Sequence, residues 1–232
     1  GTGDSFAAIP AKAETLLELA AKHPDATIVA GATDVGLWIN KQMRSLPKLI
    51  FTGKVEALHA ITDRVATLSL ASAVTYAEAE TQLAALAPDM GEVLRRIGSK
   101  QVRSSGTVGG NIANGSPIGD MPPMLIALGT RIMLKKGDEQ RDLLLEDYFI
   151  DYGKQDRKPG ELLWRIDIPK LKSSERFFAH KLSKRFDQDI SAVMAACKFT
   201  ISGRSIASAV IAFGGMAATP RRARQTEEAL RG

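Results

Sequence analysis

The residues best suited to chemistry are neither a catalytic dyad nor a metal set but a run of glycines. From Gly106 to Asp120 the chain reads Gly-Thr-Val-Gly-Gly-Asn-Ile-Ala-Asn-Gly-Ser-Pro-Ile-Gly-Asp, five glycines in fifteen residues. Glycine lets a backbone turn with positive φ and come close to a ligand. Consecutive exposed amides in such a turn form an anion-binding concavity that needs no cationic side chain. Thr107, Gly109, Gly110, Asn111, Asn114 and Ser116 therefore read as donors and acceptors for phosphate oxygens or polyol hydroxyls. Asp120, closing the run, suits a hydroxyl or an amino group. A long structural loop would have the same composition, and ordered loops of this length are often functional.

A second turn of this kind is Ile28-Val29-Ala30-Gly31-Ala32-Thr33-Asp34-Val35. It reads as a buried strand running into Gly31, with a helix opening near Thr33 or Asp34. Helix N-termini present unpaired amides and the positive end of the macrodipole, where a pyrophosphate can sit. Thr33 or Asp34 can equally be a plain N-cap. Standard nucleotide motifs are absent. Gly53-Lys54 is followed by Val55, so there is no phosphate-binding loop ending Gly-Lys-Ser/Thr, and no strand leads into Gly-x-Gly-x-x-Gly.

The remaining reactive residue types are sparse. Cys197 is the only cysteine, which rules out an internal disulfide and a cluster ligated by this chain alone. It lies in an apolar run and reads as a small core residue. His23, His59 and His180 lack zinc spacing, so no metal site is expected. His180 and Trp164 read as packing residues.

The elements that must position these groups follow from 232 residues, 44% hydrophobic and 25% charged, enough for one large domain or two smaller ones. The net charge of +5 is scattered, which argues against a nucleic-acid surface. No apolar run is long enough to span a bilayer and no leader opens the chain, so a cytoplasmic protein with no membrane partner is expected. Gly1 in place of Met suggests a piece of something longer. Periodicity predicts helices at 13–21, 37–43, 76–86 and 90–97, and strands at 26–30, 49–51, 67–70, 131–135 and 162–168. Residues 104–123 read as a loop and 170–174 as a linker. Strands at 192–202 and 205–214 join through Ser202-Gly203-Arg204. A helix at 221–230 is expected to have little to pack on.

Taken together, Ile28–Val35, the run Lys100–Ile112, Ser116–Asp120 and Asp187-Gln-Asp-Ile190 resemble the flavin domain of xanthine dehydrogenases, within the molybdenum hydroxylase family. The resemblance implies an α+β fold. A two-subdomain FAD-binding fold shared with vanillyl-alcohol oxidases would occupy 1–172 (subdomains about 1–58 and 59–172). Part of a domain like the C-terminal domain of carbon monoxide dehydrogenase flavoproteins would occupy 173–232. It implies FAD held non-covalently, with Ile28–Val35 around the pyrophosphate and flavin, and Thr107–Asn111 on the phosphates. Asp120 would sit on a polar part of the cofactor, with Leu163 in the pocket wall. Lys181 would lie near the isoalloxazine, where its charge favours the anionic reduced form. Ile97 stands where the animal enzymes have a phenylalanine, so aromatic stacking is lost there. NAD is the implied electron acceptor, with Asp34 and Tyr152 bordering the nicotinamide. The loop Lys184–Asp187 corresponds to one that moves near the flavin. The implied partners are an iron–sulfur domain and a molybdenum-cofactor subunit in a hetero-oligomer. No residue of this chain is expected to be catalytic by itself. Two other readings remain: the flavin subunit of a carbon monoxide, aldehyde or aromatic-CoA hydroxylase, and a cofactor-free scaffold.

Overall fold

A computed structural model describes residues 5–232. Strand β1 (Phe6–Ala8), helix α1 (Ala13–Lys22), strand β2 (Thr27–Val29), helix α2 (Thr33–Asn40) and strand β3 (Lys48–Phe51) open the chain. The three strands form a parallel sheet in the order β1-β3-β2, the βαβ arrangement expected from the sequence. Helix α1 buries Leu16, Leu17 and Ala20, which join Ile50 of β3, Val55 and Leu58 in one core. Helix α2 buries no residue and leaves Leu37 and Ile39 exposed.

The next stretch comprises β4 (Ile61–Asp63), β5 (Thr67–Ala71), α3 (Tyr76–Leu86), α4 (Pro88–Arg95), α5 (Lys100–Ser105), α6 (Val108–Asn114) and α7 (Met121–Leu128). It continues through β6 (Arg131–Lys136), β7 (Glu139–Leu144), α8 (Leu145–Tyr148), β8 (Phe149–Asp151), β9 (Lys154–Gln155) and β10 (Leu162–Pro169). An antiparallel sheet forms in the order β4-β5-β10-β6-β7. Thr75 and Glu78 close a reciprocal capping box on α3: Glu78 N–H donates to Thr75 Oγ1 at 3.2 Å, and Thr75 N–H donates to Glu78 Oε2 at 2.7 Å.

The stretch 104–123, expected as a loop, is largely helical. Thr107 Oγ1 accepts from Gly110 N–H at 2.9 Å and so starts α6. Gly115, in the left-handed region at φ +64°, ends it. Pro122 and Pro123 fall in the first turn of α7, where an N–H would have no intrahelical partner anyway. All eight residues of α7 are buried, as befits a helix that is apolar on every side.

Strands β11 (Glu175–Leu182), β12 (Val193–Ser202), β13 (Ser205–Gly214) and β14 (Arg221–Arg222) form a second antiparallel sheet in chain order, followed by α9 (Arg224–Ala229). Phe177, Ala179, Met194, Ala196 and Ala212 of this sheet share one core with α7 and with Leu68 and Leu70 of β5. Helix α9 is better held than expected. Glu227 is buried and accepts from the Ile211 amide at 2.8 Å and from Arg222 at 2.7 and 3.0 Å. Two packing expectations also change. His180 is exposed on β11, and Cys197 is only half-buried in β12, where burial pushes its thiol pKa up. Among the described residues, no helix is long and apolar enough to cross a membrane.

Candidate cofactor site

The two glycine segments, 75 residues apart, meet across a single cleft of about 690 Å³. That volume is in the range of small-molecule and cofactor sites, roughly 300–1,000 Å³. One wall is the β2–α2 turn. The facing wall is the α5–α6 junction, tied to the start of α3 by Tyr76 N–H donating to Gly106 O at 3.0 Å and Val108 N–H donating to Val74 O at 3.0 Å. The β11–β12 loop closes a third side with Gln188, Asp189 and Ile190.

The two walls touch at Gly31. A Cβ there would lie 1.9 Å from Ser105 O, so only glycine lets the β2–α2 turn lie against the α5–α6 junction. Next to it, Ala32 adopts the left-handed region at φ 58°, uncommon for a residue with a Cβ. It opens α2 with no side-chain cap, so the first-turn amides of Thr33, Asp34 and Val35, all cleft-lining residues, have no intrahelical or capping partner. The alternative role of Thr33 or Asp34 as N-cap is therefore not adopted. Asp34 lines the cleft, where burial raises its carboxyl pKa. Burial, and then the charges of Asp120 and Asp34, push the Tyr76 phenol upward as well, so Tyr76 stays protonated at the cleft base.

Asn111 supplies an unanswered polar atom. Its Oδ1 is buried with no hydrogen-bond partner, and it is the one such side-chain atom among the described residues whose residue lines this cleft. A buried acceptor without a donor is costly unless a ligand or water supplies one. Across the cleft, Lys181 Nζ donates to Asp120 Oδ2 at 2.5 Å, and both side chains are buried. The ammonium is thus charge-compensated, not a free cation. Arg157, also at the cleft, donates to Glu161 O at 2.9 Å. An anion bound here would rely chiefly on backbone amides, as the glycine composition implies.

The cleft gathers most of the residues singled out in the sequence: both glycine segments together with Ile97, Asn114, Asp120, Leu163 and Lys181. Two lie elsewhere. Val29 is buried in β2, where its carbonyl accepts from Thr52 N–H at 2.9 Å. Tyr152 is 73% exposed in the β8–β9 turn and does not line the cleft. Three contributors were not foreseen. Tyr76 follows a capping threonine in an alanine-rich helix, a faint signal. Ser191 donates to Asp120 Oδ1, and Arg96 holds the β11–β12 loop by donating to Phe186 O at 2.8 Å and Lys181 O at 3.0 Å. Nothing in the local sequence marks either one.

The family model for the FAD binding domain in molybdopterin dehydrogenase matches residues 4–171. The chain belongs to that family. The model for the CO dehydrogenase flavoprotein C-terminal domain matches residues 178–232. Rat xanthine dehydrogenase/oxidase is 30% identical over 88% of this chain, which covers 16% of the rat protein. The chain spans about a sixth of the length of the curated relatives it matches. The reconstituted CO dehydrogenase from Oligotropha carboxidovorans superposes with a TM-score of 0.91 at 27% identity, covering 99% of this chain and 81% of that one. Quinoline 2-oxidoreductase from Pseudomonas putida 86 gives 0.88 at 25% identity, covering 98% and 80%. The chain is an FAD-binding module of the molybdenum hydroxylase family with the mixed α+β fold expected of it. The uncapped start of α2, the glycine contact at Gly31 and the orphaned Asn111 Oδ1 fit such a cofactor.

Proposed function

We propose that this cleft holds FAD non-covalently and that the chain is the electron-transfer module of a xanthine dehydrogenase. The supporting observation is the convergence of both glycine segments on one cleft, lined by the uncapped first turn of α2 and by Asn111, whose buried Oδ1 has no hydrogen-bond partner. The first-turn amides of α2 take the pyrophosphate, aided by the macrodipole. Gly109, Gly110 and Asn111 receive the phosphates and polyol from the opposite wall. Ile97 and Leu163 pack apolar surface against the rings. Lys181, held by Asp120, donates toward the isoalloxazine. Residues 1–172 form the FAD-binding part and 173–232 close it from one side. No cysteine or histidine lines the cleft among the described residues, which accords with non-covalent binding.

FAD held by these residues would supply the redox chemistry, linking the iron–sulfur clusters of a neighbouring domain to NAD as acceptor. The protein binds, orients and excludes water. A molybdenum-cofactor subunit in a cytoplasmic assembly serving purine catabolism completes this reading. An absorption spectrum of the purified chain, before and after acid or heat precipitation, tests it. A flavin band that passes wholly into the supernatant is expected. A colourless protein that takes up no added FAD would mean a scaffold instead. The likeness to CO dehydrogenase and quinoline 2-oxidoreductase favours a second reading, a flavin subunit of another hydroxylase. NADH-driven reduction of a dye separates the two, and its absence in an FAD-loaded sample selects the second.

A further inference from the structure

We propose that Ser191 is a positioning residue of the cofactor site, fixing through Asp120 the direction in which Lys181 offers its ammonium to the cleft. The proposal rests on the reading of the cleft as an FAD site. Asp120 occupies the N-cap position of α7 yet makes no side-chain cap, so both of its oxygens are free for other partners. Both are taken, one from β11 and one from the loop before β12: Oδ2 accepts from Lys181 Nζ at 2.5 Å and Oδ1 accepts a short hydrogen bond from Ser191 Oγ. All three residues are buried, with Ser191 2% and Asp120 7% exposed.

The placement along the chain gives the contact its consequence. Lys181 stands near the end of β11 and Ser191 just before β12. Both ends of the β11–β12 loop are therefore pinned to one carboxylate at the N-cap position of α7. That loop supplies Gln188, Asp189 and Ile190 to the cleft wall. The Lys181 backbone is fixed separately, its carbonyl accepting from Arg96 at 3.0 Å. What remains to be set is the ammonium. The χ2 torsion of an aspartate is broad, so a carboxylate held by one donor can turn. A second buried donor on the other oxygen removes that freedom. Paired in this way, Lys181 keeps two N–H donors in a defined direction while its charge is offset.

Without the Ser191 hydroxyl, a buried carboxylate oxygen loses its partner and the loop loses one of its two anchors. The test compares the full chain with Ser191→Ala, Asp120→Asn and the double variant, using Ser208→Ala as a control. Ser208 donates to Thr200 Oγ1 at 2.9 Å on β12–β13, and neither residue lines the cleft. Cofactor-free protein is examined by hydrogen exchange at the Ala192 amide, which donates to Leu182 O at 2.8 Å across the loop base. FAD-saturated protein is examined by the visible absorption band and the dissociation constant.

Ser191→Ala is expected to speed exchange and weaken FAD binding, each roughly tenfold. It should also shift the bound-flavin band, while Ser208→Ala changes none of these. In the Asp120→Asn background the same change should have less than about a twofold effect on exchange, because the serine acts through that carboxylate. Equal effects in both backgrounds, or an unshifted flavin band in Ser191→Ala, would overturn the proposal. If the wild-type chain binds no FAD, the functional reading fails. The exchange cycle still decides whether Ser191 and Asp120 form the clamp.

Discussion

At the scale of single residues, glycine is where the sequence spoke most clearly and where the structure changes its meaning most. Composition implied close approach of backbone to ligand. At Gly31 and Gly109 the tightest approach is instead backbone to backbone: a Cβ on Gly109 would lie 2.4 Å from Ser72 O. The glycines build the cleft first and serve a ligand second. Gly31→Ala must displace the Ser105–Gly106 backbone, and overpacking of this kind costs roughly 1–3 kcal/mol. Gly36, inside α2, has no positive φ, and a Cβ added there would meet nothing within 4 Å. Gly36→Ala should therefore gain about 0.5–1 kcal/mol from helix propensity alone. Urea unfolding of the two variants should move in opposite directions from wild type, and FAD affinity should fall only in Gly31→Ala. Loss of stability in both would refute the distinction. Asp120 and Lys181 were singled out in the sequence and both line the cleft, but their bond to each other was not legible. A contact between residues 61 apart leaves no local trace.

At the scale of elements, periodicity found the helices with a clear apolar stripe and the strands with β-branched runs. The strand at 205–214 has the bounds expected of it. Strand β7 (Glu-Gln-Arg-Asp-Leu-Leu) was missed because it is a polar edge strand, whose outer face carries no alternation to read. Helix α6 was missed because two glycines and two asparagines depress propensity. Tertiary packing against Ser72 and a threonine cap outweigh it. The cap makes the point testable. Thr107→Ala removes the acceptor of the Gly110 amide and should cost about 1 kcal/mol, whereas Thr107→Ser should retain most of it. Thermal unfolding of both variants measures the difference. An Ala variant as stable as the Ser variant would mean that packing alone holds α6.

At the scale of the whole molecule, the last sheet is continuous with the rest because α7 and β5 share its core, a feature that no separate reading of the C-terminal strands could show. What fastens its far edge is a buried carboxylate. Glu227 joins α9, Arg222 and the Ile211 amide, and Arg222 in turn reaches Glu146 at 3.1 Å on α8. Burial alone would raise the Glu227 pKa, but the Arg222 and Ile211 hydrogen bonds outweigh it and hold it below the ordinary value of 4.5. Glu161 is held low in the same way by Arg141 against the effect of its burial. A carboxyl whose folded pKa is depressed contributes stability that is present above its unfolded pKa and is lost as pH falls through the folded one. The chain should therefore lose stability in acid below about pH 4.5, with these two sites among the causes. Glu227→Gln keeps an acceptor but loses the charge that holds Arg222, and should cost about 1.5–3 kcal/mol at pH 7. Because wild-type Glu227 becomes neutral in acid, the gap between variant and wild type should narrow steadily below pH 4.5. Urea unfolding from pH 7 to pH 3 measures that gap, and a gap of constant size would show that the ionised Glu227 is not what fastens the edge.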